Sequence, residues 1–250
     1  MHNRSAISLF ASVCLSLALA TPLHAADDGE TIVMAKETVE AVNAARKAKD
    51  GDALTTAYER LIELHNGMES ASWRKKFQVA VGAVLRDKKC KDHHESALGA
   101  LEELDDGDGV LTQLKTVLPR SGDVEVDDLG VQAVEIIGKV KSTAGVKTLN
   151  NLATKSKNME VRLTAIETQA NYRHAEKTRV KVLGNLLKLL ISIQPREGST
   201  PTEAEQATRD ALQQPLVDTL DRLTRLKLKT TAAWLDWYPA NKSKLKKVFE

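Results

Sequence analysis

Wherever apolar residues recur regularly along this chain they do so at intervals of three and four, the spacing of a helix that buries one face. Leu54, Ala57, Leu61 and Leu64 make one such stripe, and Trp73, Phe77, Val81, Val84 and Leu85 make another within residues 70–86. The pattern predicts helices over 33–47 and 53–64, joined at Asp50-Gly51-Asp52, where Gly51 would take the left-handed conformation that closes one helix and Asp52 would cap the next. Residues 92–103, with Ala97, Leu98 and Leu101 inward, begin a further pair whose second helix carries Leu111, Leu114 and Val117. After Ile193 comes one long connection, in which Thr200, Pro201 and Glu203 stand at the N-cap, N1 and N3 positions of the following helix. Two helices over 204–213 and 216–226, hinged at Pro215, and a last short pair over 231–238 and 241–249 complete the expected elements.

Between residues 130 and 193 the chain says nearly the same thing twice. Val131-Gln-Ala-Val-Glu135 returns as Leu163-Thr-Ala-Ile-Glu167, and Val146-Lys-x-Leu-x-Asn151-Leu152 returns as Val180-Lys-x-Leu-x-Asn185-Leu186. The offsets, about 32 and 34 residues, mark a repeated pair of helices with a longer turn in the second copy. Glu160-Val161-Arg162, Ala165-Ile166 and then Val180, Leu183, Leu186 and Leu187 resemble the HEAT repeat and the short HEAT-like units of bilin-lyase relatives. In the preceding copy Asp128-Leu129-Gly130 replaces the Glu-Val-Arg. The resemblance implies an α-α superhelix of the armadillo type that binds other macromolecules, and it does not imply an enzyme; the expected fold is all-α, a right-handed superhelix of about five helix pairs, and the expected role is non-catalytic.

Composition alters this picture at the two ends. Arg4, an apolar stretch over 6–20, Pro22 and Ala25 read as a secretory signal cleaved after residue 25, which leaves 26–250 as one helical-repeat domain, clearest over 92–193 and capped by 230–250. The expected location is periplasmic or secreted, as a soluble protein. Without the signal Cys90 is the single cysteine, so no intramolecular disulfide can form. Charge is balanced, and nothing resembles the basic excess of a nucleic-acid binder. The balance is polarised, however: residues 95–128 hold ten acids and two bases, whereas 221–250 hold eight bases and three acids. The basic C-terminal end offers an alternative function, that of an envelope adaptor on anionic lipid or polymer.

Chemistry-bearing clusters are few. Cys90, His93 and His94 gather thiolate and imidazole, which suit zinc or copper, yet adjacent helical histidines point about 100° apart. Metal binding at Cys90 and His93 is the minor alternative. Asp105-Asp-Gly-Asp-Gly109 looks like the start of a calcium loop but lacks an acid at its twelfth position, and reads as an interhelical turn. No nucleophile elbow, phosphate-cradling loop or His-Glu-x-x-His occurs, so no catalytic residue, metal or cofactor is expected. Trp234, Trp237 and Tyr238 are expected to close the end of the core. The repeat itself offers the working surface: Lys147 and Lys181 are equivalent, as are Asn151 and Asn185, on second helices that line a concave face. The expected partner is a protein or peptide docked across these four residues.

Overall fold

A computed structural model of the chain describes residues 29–104, 107–195 and 198–249, and the regular structure among them is entirely helical. The expected signal segment lies outside the described residues. Three helices open the chain: α1 (Gly29–Ala48), α2 (Gly51–Gly67) and α3 (Ala71–Arg86). A 3-10 segment, Lys88–His93, leads into α4 (His94–Glu103), followed by α5 (Gly107–Leu114). The doubled stretch supplies α6 (Asp128–Lys139), α7 (Gly145–Lys155), α8 (Met159–Glu167), the 3-10 segment Thr168–His174 and α9 (Arg179–Ser192). Then come α10 (Glu203–Thr224), α11 (Thr231–Asn241) and a C-terminal 3-10 segment, Lys242–Phe249.

Each helix from α1 to α9 packs against the helix two further along the chain. Each odd-numbered helix thus neighbours the next odd-numbered one, and each even-numbered helix the next even-numbered one. The apolar stripes read from the sequence enter the core: Leu54, Leu61, Phe77, Val81, Leu98 and Leu101 are all fully buried. At the far end Trp234 is fully buried and meets the Trp237 ring edge-on at 5.5 Å.

Several local expectations are corrected. The left-handed residue between α1 and α2 is Lys49, at φ 58°, not Gly51. Asp50 rather than Asp52 caps α2, its carboxylate accepting from the Ala53 amide at 3.0 Å. Gly51 opens the helix and is small because the His93 ring lies over it. The capping box of α10 sits two residues later than expected: Thr202 Oγ1 accepts from the Glu205 amide at 3.2 Å, and the Thr202 amide donates to Glu205 Oε2 at 2.8 Å. Pro215 does not divide the helix it sits in. Leu212, Leu216, Val217, Leu220 and Leu223 continue one buried face across the proline. An interior proline costs about 3 kcal/mol, and burying several such side chains at about 1.5–3 kcal/mol each outweighs it. The longer second turn of the repeat is the 3-10 segment Thr168–His174, which takes over where α8 ends.

That segment carries Tyr172 into the core, and its hydroxyl donates to the Ser142 carbonyl at 2.7 Å. From the other side Asp108, in the first turn of α5, accepts from Ser142 Oγ at 2.6 Å and from the Ala144 amide at 2.9 Å. Ser142 Oγ in turn accepts from the Gly145 amide at 2.9 Å, so the turn entering α7 is held by the helices on both sides of it. These hydrogen bonds hold the Asp108 carboxyl below the ordinary aspartate value. A second polar contact joins α3 to α5: Gln78 lies on Gly109 and Gln113 lies on Gly82, and neither glycine has room for a Cβ. Gln113 Oε1 accepts from Arg86 at 2.8 Å, whereas both polar atoms of the Gln78 carboxamide are buried without a hydrogen-bond partner.

Asp108→Ala is expected to destabilise the fold by about 0.5–2 kcal/mol at neutral pH, the range for a lost capping side chain. Because the folded carboxyl is depressed, its contribution is present above the unfolded value of about 3.9 and disappears as pH falls through the folded one. Urea unfolding curves of wild type and variant should therefore converge in acid. Gln78→Met, which removes two unsatisfied atoms at similar volume, should raise stability by about 1–2 kcal/mol; a lower urea midpoint would contradict that.

Candidate partner-binding surface

Helix α7 turns Val146, Leu149, Leu152 and Ala153 inward, which leaves Lys147 and Asn151 exposed one turn apart. Helix α9 buries Val182, Leu183, Leu186, Leu187, Leu189 and Leu190, with Lys181 exposed and Asn185 half-buried. The two helices pack against each other. The sequence equivalence thus becomes a spatial one: a lysine and an asparagine on each of two neighbouring helices. None of these four side chains has a hydrogen bond or ion pair within the described residues. An ammonium offers three donors, and a carboxamide offers a donor and an acceptor that match a peptide unit.

The α9 half of this surface has a neighbour that the sequence reading did not foresee. The C-terminal segment Lys242–Phe249 packs on α9: a Cβ at Gly184 would lie 4.0 Å from Leu245 Cδ1, and the Arg179 guanidinium sits 4.9 Å from the centre of the Phe249 ring. Leu245, Val248 and Phe249 are half-buried against the core, while Lys242, Lys244, Lys246 and Lys247 are exposed. The signal was present in the three-then-one spacing of those apolar residues. Gly184 stands between Lys181 and Asn185 in sequence, so the segment approaches the stretch of α9 that carries the repeated polar positions.

The other clusters fall into place around structural bonds. Cys90 is buried with Sγ 3.4 Å from the Arg46 carbonyl, His93 Nε2 lies 3.3 Å from the Lys49 carbonyl, and His94 Nε2 lies 3.2 Å from that of Asp87. Three side chains thus address three separate carbonyls, and no group of three or more His, Cys, Asp or Glu residues placed to hold a metal occurs among the described residues. Burial, then the Asp87 carboxylate, pushes the Cys90 thiol up. Asp87 is itself ion-paired with Arg46 at 2.7 Å. Of the acidic run at 105–109, Asp108 spends its carboxylate on Ser142 and Ala144. No helix among the described residues is long and apolar enough to cross a membrane.

Comparison of the chain with protein-family models, with curated proteins and with solved structures finds no match. Leu245→Asp should loosen the C-terminal segment from α9 and raise the rate of tryptic cleavage at Lys244, Lys246 and Lys247 by about tenfold or more, as expected when a locally ordered segment opens. An unchanged rate would mean that Leu245 does not anchor it.

Proposed function

We propose that this chain is an exported, non-catalytic scaffold that binds an acidic segment of a protein or peptide partner across α7 and α9. The apolar stretch over 6–20 and the small residue Ala25 support export. The packing of each helix on the one two further along supports a stack of helix pairs, read here as a right-handed superhelix of the HEAT type in which α2/α3 through α10/α11 make five pairs fronted by α1. The observation that carries the binding role is the pairing of Lys147 and Asn151 with Lys181 and Asn185, repeated on neighbouring helices with no side-chain hydrogen bond or ion pair among the described residues. In the bound state the lysines face carboxylates, and the asparagine carboxamides bond the backbone of an extended segment, as befits side chains of those donor and acceptor types.

A peptide library graded in charge tests this. The wild-type chain should retain acidic peptides, and Lys147→Glu with Lys181→Glu should weaken that retention by about tenfold or more, with a salt dependence typical of exposed charge pairs. The double variant should keep the wild-type melting temperature, because both lysines are exposed. Equal retention by wild type and variant would remove this surface from consideration.

A further inference from the structure

A second cluster lies where the C-terminus of α10 meets the 3-10 segment Thr168–His174, and it is made almost wholly of cations. Arg173 Nη1 donates to the Leu223 carbonyl at 2.9 Å, and Arg222 Nη2 donates to the Glu167 carbonyl at 3.3 Å. These bonds stitch the two helix ends together and bring Arg225 beside Arg173. Beyond them the chain runs Arg225-Leu-Lys-Leu-Lys229, with Leu226 and Leu228 half-buried against the core and the three cations exposed. One recess is lined by Asp221, Arg222, Arg225, Lys227 and Lys229; a second is lined on its charged side by Lys139, Lys141, Arg173 and His174. Arg173 links the two, since it lines the second recess and donates to the carbonyl of Leu223, the residue after Arg222 of the first.

Carboxylates do not balance this charge. Asp221 is paired with Lys229 at 2.6 Å, and Glu102 with Lys139 at 2.9 Å. Among the described residues no acid pairs with Lys141, Arg173, Arg222, Arg225 or Lys227. Burial, then Arg225 and Arg179, lowers the pKa of Arg173, as expected of like charges crowded without a counter-ion. Capping of helix C-termini accounts for Arg173 and Arg222. The side chains of Lys141, Arg225 and Lys227, by contrast, make no hydrogen bond or ion pair among the described residues.

The backbone adds an independent sign. Four non-glycine residues among those described have left-handed φ, and three of them, Lys141 (51°), Arg225 (60°) and Lys227 (56°), border these recesses. Glycine would occupy such positions without strain, so a cationic side chain is held at each at a conformational cost.

We infer that this cleft binds phosphate oxyanions carried in series, as in an oligophosphate or the phosphodiester headgroups of an anionic lipid surface. Arginine forks match the oxygen spacing of phosphate and lysines add point charge, and two recesses joined by Arg173 suit more than one phosphate group. The site is separate from the α7/α9 surface and does not rest on the peptide-binding reading.

The decisive variant is the full chain with Arg225→Gly and Lys227→Gly. Glycine relieves both left-handed positions, so the melting temperature should rise by about 2–4 °C, while anion binding should weaken by about tenfold or more through the loss of two cations. Titration with inorganic tripolyphosphate reads a soluble source, and co-sedimentation with vesicles of phosphatidylglycerol in phosphatidylcholine reads a lipid source. Binding in either arm that salt abolishes and the double glycine variant weakens by about tenfold or more supports the site and identifies its source. Two control variants should bind like wild type: Lys244→Gln with Lys246→Gln and Lys247→Gln, and Lys147→Glu with Lys181→Glu. No binding in either arm, binding undiminished by the glycine substitutions, or binding lost instead with the C-terminal lysines would overturn the inference.

Discussion

Ser142 is a short turn residue on which three parts of the chain converge. Its hydroxyl lies between the Asp108 carboxylate and the Gly145 amide, and its carbonyl takes the Tyr172 hydroxyl. Two of these bonds reach from outside, from α5 and from the 3-10 segment Thr168–His174, and the third is local, so the entry of α7 is set by what comes before it and after it as well as by its own sequence. The direction in which α7 points decides where Lys147 and Asn151 stand, and α9 is aligned against it. A carboxylate on α5 with two donors in the turn before α7 therefore helps to fix the geometry of the candidate binding surface.

Polar residues enter the interior by the same logic. Gln78, Gln113, Thr168, Gln169 and Thr219 are all buried. Where they cross between helices, a glycine stands opposite: Gly109 under Gln78 and Gly82 under Gln113. A carboxamide at a helix crossing specifies one register, because a slip of a turn would bring it against a Cβ. The cost is visible in Gln78, whose amide atoms lack partners. In this part of the chain a definite α3–α5 register is obtained at the expense of stability.

Existence and order of the helices were legible in the sequence because a helix that buries one face must repeat its apolar residues every three or four positions. Punctuation was less so. Glycine at 51 suggested a helix ending there, but a lysine took the left-handed position and a histidine from a later segment explains the glycine. Pro215 suggested a hinge, yet burial on both sides of it carried the helix through. In each instance a local propensity was overruled by a contact from far along the chain, which periodicity does not reveal. The candidate surface was legible only because the repeat duplicates it. The cover that the C-terminal segment places on α9, and the gathering of Arg173, Arg222 and Arg225, depend on which helix ends meet, and no spacing within a single helix carries that information.

The packing of each helix on the one two further along has a kinetic meaning as well. Nearly all partners are close in sequence, so little chain must be closed into loops before stabilising contacts form, and folding of this topology should be fast for its length. Among the described residues the main helix contacts join near neighbours in the chain, so bending it would distribute the deformation over many small interfaces instead of breaking one large one.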